Sequence, residues 1–293
     1  MSDFALVASG YSVVEGPVVN EAGDLFFTNV HEGGVYVLRA SGEIEEVIPR
    51  RRGVGGMCLH ADGGLIVSGR DVSHIGPGQT RVLAERSGFP LVDGVPVGGF
   101  NDLCADQLGR VLVGPTRRRP VPANDATPLM SAGEHVPSEL VLITAPGRFT
   151  TLYADVRGVS NGLAVSADNS TIYHAESGGQ IIRVSRFTAP ERVETVATWP
   201  TTALAGTPDG VALDVDGFLW VAMHGGGAIV RFSPAGAVDR VLGVPATRVT
   251  NLCFAGPYLY ITSLDNDQDP QRRGSIFRTA APVPGAAVPV ARV

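Results

Sequence analysis

The sequence predicts an all-β protein, a six-bladed β-propeller, and three observations carry that expectation. One segment pattern recurs six times along the 293 residues. Each copy supplies two short apolar runs joined by a turn, and further strand-like runs follow it. The copies are spaced near the ~40–50 residues of a propeller blade, with about four strands apiece.

The six copies begin at Glu15, Gly55, Asn101, Asn161, Asp209 and Thr250. Their turns carry Gly23, Gly63, Gly109, Asn169 and Gly217, residues that accept positive φ at little cost, and the sixth uses Gly256-Pro257. The second runs (LFFT, LIVS, VLVG, IYHA, LWVA, LYIT) end on small residues and are rich in β-branched and aromatic side chains. Third runs such as GVYVLRA, LVLITAP and QIIRVSR follow, and weaker fourth runs such as IEEVIPR and VETVATW complete the blades. One stretch interrupts the pattern, from Pro115 to Glu139, between the second and third strands of blade 3. It reads as a long loop covering the mouth of a single domain over 1–293. Ring closure requires an extra outer strand, from FALVAS at the N-terminal end or AVPVAR at the C-terminal end; the sequence leaves both open.

Composition excludes several function classes. Hydrophobic residues are 44% and charged residues 18%, enough for a core and too apolar for a disordered chain. A net charge of −6 lacks the basic footprint of a nucleic-acid binder. No apolar run approaches the ~18 residues of a membrane span, and residues 1–11 lack the pattern of a secretory leader. Cys58, Cys104 and Cys253 are too few for a disulfide scaffold, so a reducing, cytoplasmic location is expected. All 23 basic residues are arginine, which excludes lysine Schiff-base chemistry and a P-loop. The partner expected is a small-molecule substrate, with no nucleic acid and no membrane.

The residues that open the repeats carry the functional signal. Equivalent positions in a propeller stand at equal height around its axis, and Glu15, Asn101, Asn161 and Asp209 are all carboxylates or carboxamides. Oxygen donors converging there suit one hard divalent cation, Ca²⁺, Mg²⁺ or Mn²⁺, and can also accommodate Zn²⁺. The bland alternative, Asn and Asp as turn formers, fits any one of them but not four in register with a glutamate.

On the motifs EGP at Glu15–Pro17, FND at Phe100–Asp102, SNGL at Ser160–Leu163 and PDGVALDVDGFLWVA at Pro208–Ala222, the chain resembles the gluconolactonase and regucalcin family, also called luciferin-regenerating-enzyme-like. The resemblance implies a metal held by Glu15, Asn161 and Asp209, with Asn101 beside it. It further implies a hydrolase, a lactonase above all, in which Asp209 and Asn101 are the catalytic side chains. A metal-dependent phosphoester or fluorophosphate hydrolase, or another Lewis-acid enzyme, is the alternative, and a non-catalytic ligand- or protein-binding propeller the third. Two departures stand out. Gly99 occupies a position where sugar lactonases of the family often carry arginine, and Val19 stands where tryptophan is usual. Both point to a substrate less polar than an aldonolactone.

Strand direction nominates rim residues for substrate contact: His31, His74, Arg117, Glu176 and His224, with Asn29, Arg70 and Asp265 nearby. His60 and Asp106 fall at the opposite turns and read as structural. The string Gly158-Val-Ser160-Asn-Gly162 matches the nucleophile-elbow pattern, but that pattern requires a strand–turn–helix context, and here it opens a blade. The three cysteines share the fourth position of their repeats, where Val18, Ala164 and Ala212 stand in the others, and read as small packing residues.

Overall fold

In the computed structural model, residues 4–118, 136–264 and 273–293 are described. They form six four-stranded antiparallel sheets, and the innermost strand of each contacts the innermost strand of the next until the last meets the first. The chain is a six-bladed β-propeller. The Pro115–Glu139 loop lies mostly outside the described residues, as does Asp265.

From the axis outward, blade 1 comprises Val14–Val19, Leu25–Asn29, Val35–Leu38 and Ile44–Ile48. Blade 2 comprises Met57–Leu59, Leu65–Val67, Asp71–Gly76 and Gln79–Glu85. Blade 3 comprises Gly99–Ala105, Val111–Thr116, Ser138–Ala145 and Arg148–Val156. Blade 4 comprises Ser160–Val165, Thr171–Glu176, Ile181–Ala189 and Arg192–Pro200. Blade 5 comprises Thr207–Leu213, Leu219–His224, Ala228–Phe232 and Val238–Gly243. Blade 6 has Val249–Ala255, Tyr258–Ser263 and Ile276–Ala280, and its outer strand is Ala5–Ala8. Ring closure therefore falls to the N-terminal segment, which pairs antiparallel with Ile276–Ala280.

The contrast between strong and weak runs in the sequence follows from position. Second strands are covered on both faces by neighbouring blades and read as nearly unbroken apolar runs. Outermost strands such as Ile44–Ile48 face solvent and carry a diluted pattern. Between blades 2 and 3, Ile66, Val72 and Leu83 pack with Val111, Val113 and Ile143, all fully buried. Each such side chain contributes about 1.5–3 kcal/mol.

The turns at the far end of the first strand pair repeat one device. Gly23, Gly63, Gly109, Asn169 and Gly217 all have φ between 60° and 85°, and each donates its amide to the residue three earlier. That earlier residue also caps the turn with its side chain. Asn20 accepts from the Asp24 amide, His60 Nδ1 from Asp62, Asp106 from Leu108 and Arg110, and Asp214 from Asp216 and Phe218. His60 and Asp106 are thus structural, as expected.

Residues 284–293 take a course the sequence did not indicate. They cross the end of the axis at these turns, with Ala286 bonded to Leu213, Ala291 to Leu59 and Arg292 to Gly109. Ala286–Pro289 close one end of an apolar axial cavity of about 130 Å³, which also reaches Asp102 and Asn251.

Asp214 is the most heavily bonded of the turn caps. Its Oδ2 also accepts from Trp220 Nε1 at 2.8 Å and Arg231 Nε at 2.8 Å, all within the interior. Replacing it, Asp214→Ala, strands a buried guanidinium, an indole N–H and two amides. A loss of about 3–5 kcal/mol is expected in urea unfolding; a loss below about 1 kcal/mol would show that Arg231 is held well enough by Asp216 and Asp239 alone.

Candidate functional site

A local irregularity in the inner strands aims the site residues. Pairing with the second strand breaks register between Glu15 and Val18, Phe100 and Leu103, Ser160 and Leu163, and Pro208 and Val211. Such bulges twist a strand and re-aim its side chains. In blades 3, 4 and 5 the bulge falls on Asn101, Asn161 and Asp209, in blade 6 on Thr250, and in blade 1 just after Glu15, which still pairs with Thr28. Glu15, Asn101, Asn161 and Asp209 come together at one end of the axis. Blade 2 contributes Gly55, where a Cβ would collide with the Asn101 carboxamide.

On one side of the cluster the carboxamides form a chain. Asn101 Nδ2 donates to Asn161 Oδ1 and, at 2.9 Å, to the Ser160 carbonyl. Asn161 Nδ2 donates to Ser177 Oγ at 2.6 Å, and Ser177 Oγ to the Pro208 carbonyl at 2.6 Å, one residue before Asp209. Blades 3, 4 and 5 are tied through this line.

On the other side lie three carboxylates. Burial raises the Glu15 carboxyl well above the usual range, and the charges of Asp209 and Asp102 raise it further. Burial, followed by the charge of Asp102, raises Asp209 as well. Asp102 itself is pushed up to about 7 by burial. Asn251 Nδ2 stands 3.4 Å from both Glu15 Oε2 and Asp102 Oδ2. Among the described residues, no arginine shifts any of these carboxyls and no hydrogen-bond donor lowers Asp209. Asp102 and Asn251 were not singled out in the sequence. Their signal was there: they are the non-glycine residues at the second position of the six repeats, beside Gly16, Gly56, Gly162 and Gly210.

The donor set fits a hard divalent cation. Crowded carboxylates without a counter-charge, flanked by neutral carboxamide oxygens, are what such an ion requires. The described residues hold no group of three His, Cys, Asp or Glu that suffices for a metal, so the carboxamides of Asn161 and Asn101 have to be part of any such shell. Glu15, Asn161 and Asp209 would hold the ion, with Asn101 adjacent.

The substrate candidates divide. His31 is exposed in the turn after the second strand of blade 1, at the site end. His224 ends the second strand of blade 5 and bridges to Arg248; burial and the Arg248 charge lower its pKa. The other three are not at the rim. Arg117 is fully buried and forms a two-pronged pair with Glu139, at 3.2 and 2.7 Å, while also donating to the Val95 carbonyl. It pins the two ends of the blade 3 loop together. Glu176 is fully buried against Arg183 and accepts the Arg157 amide at 3.0 Å. His74 lies at the opposite end, its Nε2 2.8 Å from the Gly63 carbonyl and its ring stacked 3.8 Å from His60. The third strand of blade 2 begins at Asp71, so His74 has already descended from the mouth.

Neither decoy carries chemistry. Ser160 is fully buried on the inner strand of blade 4, with Oγ 2.7 Å from His174 Nε2, and His174 Nδ1 is 2.8 Å from the Tyr153 hydroxyl. This Ser–His–Tyr line has no access to substrate and no following helix; it braces the strand that carries Asn161. Cys58 and Cys253 are buried, with thiols pushed up to about 12 by burial, so they stay protonated.

The model of the SMP-30/Gluconolactonase/LRE-like region matches residues 13–265. The chain belongs to this family. Among its relatives, a 6-deoxy-6-sulfogluconolactonase of Pseudomonas putida is 29% identical, with 71% of this chain and 76% of that protein aligned. A pentonolactonase of Haloferax volcanii is 27% identical over 74% of this chain and 69% of its own. A solved structure of a calcium-binding protein, regucalcin, from Agrobacterium tumefaciens superposes with a TM-score of 0.80 at 20% identity, covering 100% of this chain and 98% of that one, which establishes the shared fold. Among the described residues no helix is long and apolar enough to cross a membrane.

The brace behind Asn161 has a pH signature. Burial first, and then the charge of Arg183, hold the His174 imidazole neutral, with its pKa lowered to about 3. In the unfolded chain it titrates near ~6.5. Below that pH the unfolded state takes up a proton that the folded state refuses, so stability falls as pH drops from ~6.5 towards 3. His174→Gln removes this dependence. Between pH 7 and pH 5 the stability of the wild type relative to His174→Gln is expected to fall by about 1–2 kcal/mol in urea unfolding; a gap independent of pH would mean that the imidazole titrates normally.

Proposed function

We propose that this protein is a divalent-cation-dependent lactonase. The observation that carries the reading is the cluster of carboxylates Glu15, Asp102 and Asp209, all raised by burial, with Asp102 and Asp209 raising Glu15 further and Asp102 raising Asp209, and with no arginine among the described residues to offset them. The family match and its lactonase relatives supply the substrate class.

Glu15, Asn161 and Asp209 would hold the cation, which would supply positive charge to polarise the ester carbonyl of a lactone and offset the negative charge that develops on it. The residues around it do the rest. Asp209 receives no hydrogen bond from the described residues, so its carboxylate is free to accept a proton from the attacking water. Asn101 is fixed by the Ser160 carbonyl and by Asn161, and its carboxamide orients the lactone. Neutral Asn101 and Asn161 lend oxygen without adding charge, so a cation here would stay more electrophilic than in an all-carboxylate shell.

Gly99 supports a less hydroxylated lactone. The Gly69 carbonyl lies 3.0 Å from where a Cβ on residue 99 would stand, and Gly69 and Phe100 exchange backbone hydrogen bonds there. A longer side chain could reach the mouth only if this contact gave way, so hydroxyl-binding groups must come from elsewhere on the rim.

A panel of aliphatic, aromatic and sugar lactones, assayed with divalent ions and with chelator, tests the reading. Lactone opening that is lost with chelator and restored by Ca²⁺, Mg²⁺, Mn²⁺ or Zn²⁺ is expected. Turnover of phosphoesters but not of lactones would replace it with the alternative hydrolase. Asp209→Asn, compared at saturating ion with binding verified, is expected to lower kcat by about 100-fold or more, with a much smaller change in melting temperature. Near-normal turnover in that variant would remove Asp209 from the chemistry.

A further inference from the structure

We propose that Asn251 is a positioning residue of the site, a neutral crosspiece that holds the Glu15 and Asp102 carboxylates in place beside one another. The ion-binding part of this inference rests on the divalent-cation reading above.

The second position of each repeat sets the geometry. Inner strands approach so closely there that a side chain must lie over the next blade's backbone. A Cβ at Gly56 would collide with the Asp102 side chain and the Leu103 amide, one at Gly162 with the backbone of Asp209 to Val211, and one at Gly210 with the Asn251 carboxamide. At Gly16 it would come within 3.2 Å of Gly56. Four glycines thus make room, and two blades fill the space: blade 3 with Asp102, over Gly56, and blade 6 with Asn251, over Gly210. Both side chains are buried.

The two are built alike. Asp102 Oδ1 accepts the amide of Leu103 at 2.9 Å, and Asn251 Oδ1 accepts the amide of Leu252 at 2.8 Å. That bond fixes which way the carboxamide faces, since its oxygen is committed to the strand. Nδ2 then has to point towards the carboxylates, and it stands 3.4 Å from Glu15 Oε2 and 3.4 Å from Asp102 Oδ2. One NH₂ group carries two protons, so it can serve one carboxylate with each. Aspartate here would add a further negative charge to a site that already holds three. A side chain without a donor would leave Glu15 and Asp102 facing each other with nothing between them.

Glu15 comes from blade 1 and Asp102 from blade 3, so the crosspiece ties blade 6 to both. Asn251 does not need to touch substrate or ion to act. It limits the directions Glu15 can take, and a ligand that is pre-oriented loses less freedom when it binds.

Two measurements on the full chain test this. The first is a double-mutant cycle on urea unfolding in chelator, using Asn251→Ala, Glu15→Ala and the pair. Coupling is expected, with the double variant less destabilised than the sum of the single ones; additive losses would overturn the positioning role. The second is calorimetric titration of the chelator-treated protein with Ca²⁺ and with Mn²⁺. Asn251→Ala is expected to bind the same number of ions as the wild type with about five- to ten-fold weaker affinity, whereas Asn251→Gln, which keeps the amide, recovers part of the loss. Unchanged affinity in Asn251→Ala would overturn the claim that Asn251 positions a ligand. Wild-type protein that binds neither ion would sink the cation reading itself, and the cycle in chelator would then decide the crosspiece alone.

Discussion

Negative charge crowded into the interior of a propeller has to be compensated, and at this axis the protein compensates it only in part. Asp102 and Asp209 are buried and Glu15 is half-buried, within reach of one another's charge. What faces them is neutral: the carboxamides of Asn101, Asn161 and Asn251, and backbone amides. Elsewhere the chain treats buried acids differently. Asp214 is matched by Arg231, Glu176 by Arg183, Glu139 by Arg117 and Asp106 by Arg110. The absence of any such arginine among the described neighbours of the axial acids separates a site from a brace.

The rest of the architecture serves that concentration of charge. Bulges in the inner strands at Asn101, Asn161 and Asp209, and just after Glu15, set these residues towards one end of the axis, and small residues make the approach of neighbouring strands feasible. The second strands, buried on both faces, anchor the inner strands so that the bulges cannot relax. Behind Asn161, the Ser160–His174–Tyr153 line fixes the strand by running from blade 4 to the outer strand of blade 3. At the other end, residues 284–293 and the capped turns cover the end of the axis away from the mouth.

Several residues with the chemistry of an active site belong to the scaffold instead. His74 and His60 stack at the far turns, Arg117 is spent on Glu139, and Ser160 is sealed beneath the blade 3 backbone, where even a Cβ on Gly114 would touch it. Residue type and place in the repeat suggested roles for His74, Arg117 and Glu176 that burial withdraws. For a propeller of this kind, exposure at the mouth and the lack of a counter-charge discriminate better than residue type.

The sequence by itself determined the number of blades, the turns and the four residues that open the repeats, because each of these is a matter of local order. A six-fold recurrence, a period-2 run and a glycine at positive φ are visible along the chain without knowing what packs on what. It also showed the family, through short motifs that each lie within one strand and turn. Only the tertiary structure decided which terminus closes the ring, since FALVAS and AVPVAR are equally strand-like and the choice depends on which edge is left unpaired. It alone decided that Asp102 and Asn251 join the site, because their partners lie 149 and 236 residues away in the chain. And it alone sorted rim residues from buried ones, since a side chain's accessibility depends on the neighbouring blade, which local sequence does not encode.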